Sequence, residues 1–345
     1  MNKLLLMLIL IGCFKFTNAQ QKPYYTQYII NNYILNPALS GVENYTDVKL
    51  SYRNQWTGID GAPVTMYCTI QGPLDKTDDK TNINSYSPMD GQNPRGKEYW
   101  EDYTTSAPHS GIGFQLINDQ AGYISQTSAN ATYAYHLPLD SKKTLAFGFL
   151  AGINNISLDR SKIDWATEDP NDPAIGYTDG ELKKFSPQFG AGLWLYTPDY
   201  YLGASVLNII PGKATFVQGN TTYGSTFLPQ YFLTGGYRFS MGDDMNMVPS
   251  ALIQMSPALP IEVDLNAKFQ YEDMVWFGGS YRISDQLGGF AIMAGLSLSK
   301  VINVSYSYDL SVSSELEAYT QSTNEIVIGF LLNNKYGDTC PRNIW

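Results

Sequence analysis

The chain holds two histidines, His109 and His136, and His109 is followed directly by Ser110. A serine beside an imidazole is the minimum for nucleophilic hydrolysis, which also needs a third group to orient the base. No serine or aspartate stands at a spacing that completes such a set around His136, which falls on the polar face of an alternating segment. His109 reads as a loop residue and His136 as a polar residue facing the inside of a strand-built wall. The acids Asp75, Asp78 and Asp79, and Glu168, Asp169 and Asp172, are oxygen donors of the kind calcium takes. Neither group has the EF-hand spacing, so acidic loop turns are the expectation and calcium an open alternative. No Gly-rich loop follows a strand and opens a helix, so no nucleotide site is implied. Neither a catalytic residue nor a cofactor or metal is assigned.

What must position these residues is a set of strands. From Thr46, residues Val48, Leu50, Tyr52 and Trp56 alternate with Asp47, Lys49, Ser51, Arg53 and Gln55. After a turn at 58–63, Val64, Met66, Cys68 and Ile70 alternate with Thr65, Tyr67, Thr69 and Gln71. Period two with one apolar and one polar face marks a strand between unlike media. Cys68 shares the apolar face and reads as inert. A disulfide to Cys340 in the C-terminal tail is not expected, because the pair would have to meet within roughly 7 Å between Cα atoms.

Residues 1–19 read as a secretory signal: Lys3, an apolar run Leu4–Ile11, then small and polar residues ending at Ala19. Cys13 after Leu10-Ile11-Gly12 leaves lipoprotein processing as an alternative. Removing residues 1–19 removes Lys3 and Lys15 and no acid, taking the formal charge from −10 to −12. Such a chain has no electrostatic footprint for nucleic acid. Charged residues make up 16%, against roughly 25% in ordinary soluble domains, while tyrosines number 26 and glycines 30. No later segment holds 18 consecutive apolar residues, which excludes transmembrane helices but not a barrel, whose apolar face is hidden in the alternation.

Fourteen strand patterns can be placed over residues 45–332, the clearest being Ile261, Val263, Leu265, Ala267 and Phe269 against Glu262, Asp264, Asn266, Lys268 and Gln270. The fold class is therefore all-β: a closed antiparallel outer-membrane β-barrel of about 14 strands. An even count returns both termini to the periplasmic side. Residues 20–44 become an ordered, non-helical lead-in, periplasmic or lumenal, in which Pro37 pushes Asn36 into an extended conformation; residues 333–345 become a periplasmic tail. Long loops at 157–186, 208–228 and 309–324 fall outside. The loop at 73–108 falls on the periplasmic side, where short turns are the rule. Glycines recurring on the strands, among them Gly148, Gly190, Gly192 and Gly203, suit tight curvature at barrel bends. The polar face carries both charge signs, so cross-linking inside the barrel is expected rather than an ion filter. Arg53 is the candidate anchor for the lead-in.

The residues QYIINNYILNPALSG, then YRNQWTGIDGAPVT, and the tail triplet Cys340-Pro341-Arg342 resemble the PorP/SprF family of type IX secretion membrane proteins of Bacteroidetes. The resemblance spans nearly the whole mature chain, with Asn36, Pro37, Gly41, Arg53, Gln55, Trp56, Gly61 and Pro63 as motif residues; residues 73–108 depart from the family's usual short turn. It implies an outer-membrane, lipid-embedded barrel needed to export or surface-anchor a particular secreted protein, often a large adhesin. Such cargo carries a C-terminal targeting domain, and other type IX components join the partners. Exposed loop aromatics on a rigid scaffold are candidate partner contacts: Trp165, Tyr177, Phe185, Phe216, Tyr223, Phe227 and Tyr319. The alternative reading is a passive or substrate-selective channel.

Overall fold

The computed structural model describes residues 25–76, 105–158, 183–218, 221–242, 244–257, 259–271, 274–284, 288–299, 301–311 and 322–333. The chain enters through three short 3₁₀ turns, Thr26–Ile30, Asn32–Ile34 and Pro37–Leu39. Seven strands follow: β1 (Thr46–Asn54), β2 (Val64–Leu74), β3 (His109–Ala121), β4 (Ile124–Pro138), β5 (Thr144–Leu158), β6 (Lys183–Tyr196) and β7 (Tyr200–Leu207). A separate hairpin, β8 (Gly212–Gln218) with β9 (Thr221–Phe227), stands between β7 and β10 (Gln230–Tyr237). The two-residue β11 (Phe239–Ser240) precedes β12 (Met245–Ser256), β13 (Leu259–Tyr271), β14 (Val275–Ile283), β15 (Gly289–Ser297), β16 (Ile302–Ser311) and β17 (Thr323–Leu332).

Each barrel strand pairs antiparallel with its sequence neighbour, and two seams close the sheet. The first and last strands join through β1–β17, with Thr46 opposite Leu332 and Arg53 opposite Glu325. The pairing β10–β12 bridges the hairpin's insertion and β11. Leaving out β8, β9 and β11, fourteen strands form one closed antiparallel barrel. Closure leaves no strand of the wall as a free edge strand, as hydrocarbon requires because it offers backbone groups no partner.

The period-two alternation sets which face each residue takes. On β1, Asp47, Lys49, Ser51 and Arg53 point inward and are buried, while Leu50 and Tyr52 point outward. On β13, Asp264, Asn266, Lys268 and Gln270 are buried inward and Ile261 and Leu265 face out. The outer face is therefore the apolar one, inverting the arrangement of a soluble domain. Both chain ends of the barrel lie at one rim, since Thr46 pairs with Leu332. This terminal rim is also where the short turns at 139–143 and 197–199 sit. In the first of these, Asp140 accepts hydrogen bonds from the backbone N–H of Lys142 (2.7 Å) and of Lys143 (2.9 Å). Those donors, the Lys142 N–H foremost, hold its carboxyl below the usual range.

Four expectations are corrected by the coordinates. His109 is not a loop residue but the first residue of β3, buried and paired in register with His136. Trp56 lies beyond the end of β1, in the turn, with φ at +54°. The region 208–228 is not wholly loop, because it contains the β8–β9 hairpin. The strands also reach further than expected: β5 runs to Leu158 and β6 begins at Lys183, which places Phe185 on a strand.

The outward face predicts how the barrel responds to charge. Phe149, near the middle of β5, is 64% exposed on that face. Phe149→Arg should lower stability by about 2–4 kcal/mol, the cost of a cation at the hydrocarbon midplane. Denaturant unfolding from lipid vesicles measures it.

Candidate functional site: the plugged lumen and its outer mouth

The polar lumen is filled by the chain's own N-terminal segment. Residues 26–42 are buried throughout. Tyr28, Ile30, Ile34 and Leu35 pack against the inward residues Leu150, Phe232, Leu252 and Trp276. Tyr33, Leu39 and Val42 pack against Trp194 and Tyr201. The hydrophobic core of this protein is thus the contact between plug and wall, while the wall's outer face is left for lipid.

A buried plug needs partners for its polar groups, and here inward-facing groups of the wall pair many of them. Gln115 Nε2 donates to Tyr33 O (2.8 Å), Ser205 Oγ to Leu35 O (2.7 Å) and Asn36 Nδ2 to Leu193 O (2.9 Å). Asn266 Nδ2 donates to the Tyr28 hydroxyl at 2.5 Å, and Ser305 Oγ to Gln27 Oε1 at 2.5 Å. The wall groups come from β3, β6, β7, β13 and β16, so the plug is held from all around the barrel.

Charge fixes one end. Arg53 Nη1 donates to Thr26 Oγ1 (2.7 Å) and to Glu325 Oε2 (3.1 Å), and Nη2 meets Asp309 Oδ2 at 3.0 Å. Thr26 Oγ1 also donates to Asp309, and the Thr26 backbone N–H donates to Glu325 Oε2 at 3.0 Å. Arg53 therefore bridges β1, β16, β17 and the plug, near the rim opposite the chain ends.

Close packing fixes the other end. Asn36 is extended (φ −139°, ψ 112°) before Pro37, and its Oδ1 accepts from Ala38 N at 3.0 Å, capping the last 3₁₀ turn. Gly41 turns the chain with φ at +78°, a value that favours glycine. Its N–H donates to Gln71 Oε1 (2.7 Å). Inward-facing glycines of the wall make the room. A Cβ on Gly148 would lie 2.2 Å from Ala38 N, one on Gly192 1.9 Å from Asn36 Oδ1, and one on Gly111 1.9 Å from Ser40 O. Glycines read from sequence as barrel bends are, at 148 and 192, the socket of the plug. Elsewhere an inward ring fills the space over a cross-strand glycine: Trp194 over Gly203, Tyr201 over Gly236, Trp276 over Gly295.

The two histidines belong to this socket. Their rings stack with centroids 4.5 Å apart. His136 Nε2 lies 2.8 Å from Ser40 O, and His109 Nε2 lies 3.1 Å from Gly41 O. They hold the turn through which the plug passes into β1. His136 Nδ1 meets the Tyr196 hydroxyl at 3.1 Å and His109 Nδ1 meets Ala107 O at 2.9 Å, while Ser110 Oγ lies 2.9 Å from the Tyr133 hydroxyl.

The motif residues thus fall into two groups. Asn36, Pro37 and Gly41 build the plug's last turn. Arg53, Gln55, Trp56, Gly61 and Pro63 belong to the end of β1 and the turn into β2, where Gln55 N–H donates to Pro63 O (2.9 Å) and Gly122 N–H to Gly61 O (2.8 Å). Of the loop aromatics, Phe185 points outward from β6 and is 69% exposed. Phe216 lies on β8, and Tyr223 and Phe227 lie on β9. Trp165, Tyr177 and Tyr319 lie outside the described residues, as do both acidic clusters apart from Asp75, and Cys340. Among the described residues no group of three or more His, Cys, Asp or Glu side chains is placed to hold a metal ion. Sequence reading missed Glu325, Asp309 and the glycine socket; the inward parity of Gly148 and Gly192 was the available signal.

Two variants test the plug's attachment. Arg53→Ala leaves the Glu325 and Asp309 carboxylates buried beside each other without their cation, a loss of about 3–5 kcal/mol. It should raise amide hydrogen exchange over residues 26–30 more than over 36–41. Gly148→Leu should do the reverse, loosening residues 36–41 while the strand amides stay protected.

No curated protein sequence matches the chain. Among solved structures it is similar to a TodX deletion mutant, a monoaromatic hydrocarbon channel (11% identity, TM-score 0.48, covering 91% of this chain and 96% of that one). It is also similar to the Ralstonia pickettii toluene transporter TbuX (11%, 0.46, 86% and 92%) and to the Acinetobacter baumannii outer membrane protein Omp33 (8%, 0.43, 85% and 100%). The sequence profile of one family, described as "Type IX secretion system membrane protein PorP/SprF", matches residues 17–330. The motif turns around the plug, the closed barrel and this match across most of the chain agree: the protein belongs to the PorP/SprF family of type IX secretion system membrane proteins and is an outer-membrane β-barrel.

Proposed function

We propose that the barrel is a non-enzymatic receptor that binds one secreted protein through its C-terminal targeting domain and helps export it or anchor it at the cell surface. The observation that carries this reading is the filled lumen. A barrel whose lumen is largely occupied by its own plug is suited to holding something at its mouth rather than to passing solutes through its centre. The connections at the rim opposite the chain ends, including the β8–β9 hairpin with Phe216, Tyr223 and Phe227, supply the binding surface. Trp165, Tyr177, Phe185 and Tyr319 complete the candidate contacts. Other type IX secretion components are the natural partners for the terminal rim, where the 73–108 connection begins and ends.

The channel reading makes a different prediction. In planar bilayers the full-length barrel should pass little current, and a variant lacking residues 25–42 should pass clearly more. An open pore in the intact protein would favour a channel. In cells, deleting the gene should abolish surface display of one secreted protein while other exported proteins are still displayed; unchanged display of every exported protein overturns the receptor reading.

A further inference from the structure

The plug has a direction along the barrel axis. It starts against the outer end of the wall, where the Thr26 backbone N–H donates to Glu325 Oε2 (3.0 Å) and Arg53, one residue from the end of β1, donates to Thr26 Oγ1 (2.7 Å). Tyr25 stands there too, beside Ile117 and Asp119 in the outer half of β3. Halfway down, Asn31 Nδ2 donates to Thr69 Oγ1 (3.2 Å) and the Tyr33 hydroxyl meets Thr132 Oγ1 (2.7 Å), both near the middle of their strands. The plug ends at the terminal rim, where Gly41 O faces His109 at the start of β3. Burial follows the same direction: Thr26 to Glu43 are buried, and Tyr25, at the mouth, is half-buried.

From Thr46 to Arg53 the wall climbs about 18 Å, at about 3.4 Å per residue and a tilt of about 40°. A segment wound largely in 3₁₀ turns, at about 2 Å per residue, covers that height once between Thr26 and Gly41 and has no length left to return. From this we infer that the chain ahead of Tyr25 leaves the lumen through the outer mouth and is displayed at the cell surface, where it forms part of the face met by the secreted partner. Below Tyr25 the lumen is taken by the plug and the side chains that grip it, so a route back to the terminal rim would need a second crossing beside the first. Both ends of the barrel lie at the terminal rim, which is the periplasmic one in even-stranded barrels, so the opposite mouth faces outward. The N-terminal segment therefore crosses the membrane inside the wall rather than as one of its strands. It emerges within the ring of connections that the receptor reading assigns to the partner, so a partner seated on that rim meets it. The exit follows from the plug alone; the partner contact rests on that reading.

The exit is tested in cells by placing one cysteine, as Lys22→Cys ahead of the plug or Asp140→Cys in a terminal-rim turn, in the full-length barrel carrying Cys68→Ala and Cys340→Ala. A membrane-impermeant maleimide should label position 22 in intact cells and position 140 only after the outer membrane is permeabilised, with the barrel's heat-modifiable band unchanged. Labelling of position 22 in intact cells no stronger than that of 140 overturns the display. The contact is tested with a photoreactive amino acid at 22, or at 223 on the hairpin. Position 22 should crosslink to the protein whose display is lost in the deletion strain. A crosslink to that protein from 223 and none from 22 overturns the contact and leaves the receptor reading standing, whereas none from either position removes both.

Discussion

Everything in this protein depends on one requirement: polar groups turned away from lipid must find partners inside the barrel. Fourteen strands that expose Leu50, Phe149 and Ile261 to hydrocarbon necessarily turn Arg53, Asn266 and Lys268 inward. A wide lumen would solvate such groups with water. Here a segment of about twenty residues satisfies many of them instead, and its own apolar side chains meet Leu150, Phe232 and Trp276. The usual division of a globular protein, apolar core and polar surface, is kept only where plug and wall touch.

The plug's backbone approaches the wall more closely than side chains normally allow, which is why glycine recurs at inward positions. Gly111, Gly148 and Gly192 leave room for Ser40, Ala38 and Asn36 at the terminal end, and the stacked His109–His136 pair closes the same corner. At the opposite end the wall keeps long side chains, and the contact is ionic, through Arg53. One end is therefore set by shape and the other by charge. Variants at the two ends fail by different physics: a steric clash cannot be relieved by salt or pH, whereas an ion pair is sensitive to what replaces the cation.

Much of the architecture was legible because membrane strands obey a strict period of two. The ten residues from Ile261 to Gln270 alternate without exception, and β13 contains all of them. The count of fourteen barrel strands and the position of the long connections followed from the same signal. What the period does not report is depth or partnership. His109 begins a strand where the alternation has not yet started, so it read as loop. The β8–β9 hairpin, rich in Thr and Gly, shows no clean two-faced pattern. The plug is buried on every side and wound in 3₁₀ turns, so it has no amphipathic period to detect. Arg53 is 272 residues from Glu325 and 256 from Asp309, and nothing local in one sequence joins them.

The Arg53 cluster has a consequence for assembly. Arg53 stands on the first strand, Glu325 on the last and Asp309 on the one before it, so the binding site for Thr26 exists only where the sheet has joined its own ends. The N-terminal segment is in effect a ligand for the closed seam. Whatever it gains by binding there is gained only by the cylinder and not by an open sheet, and linkage requires that the same free energy hold the seam shut. Thr26 and its neighbours thus act as a latch on the last strand.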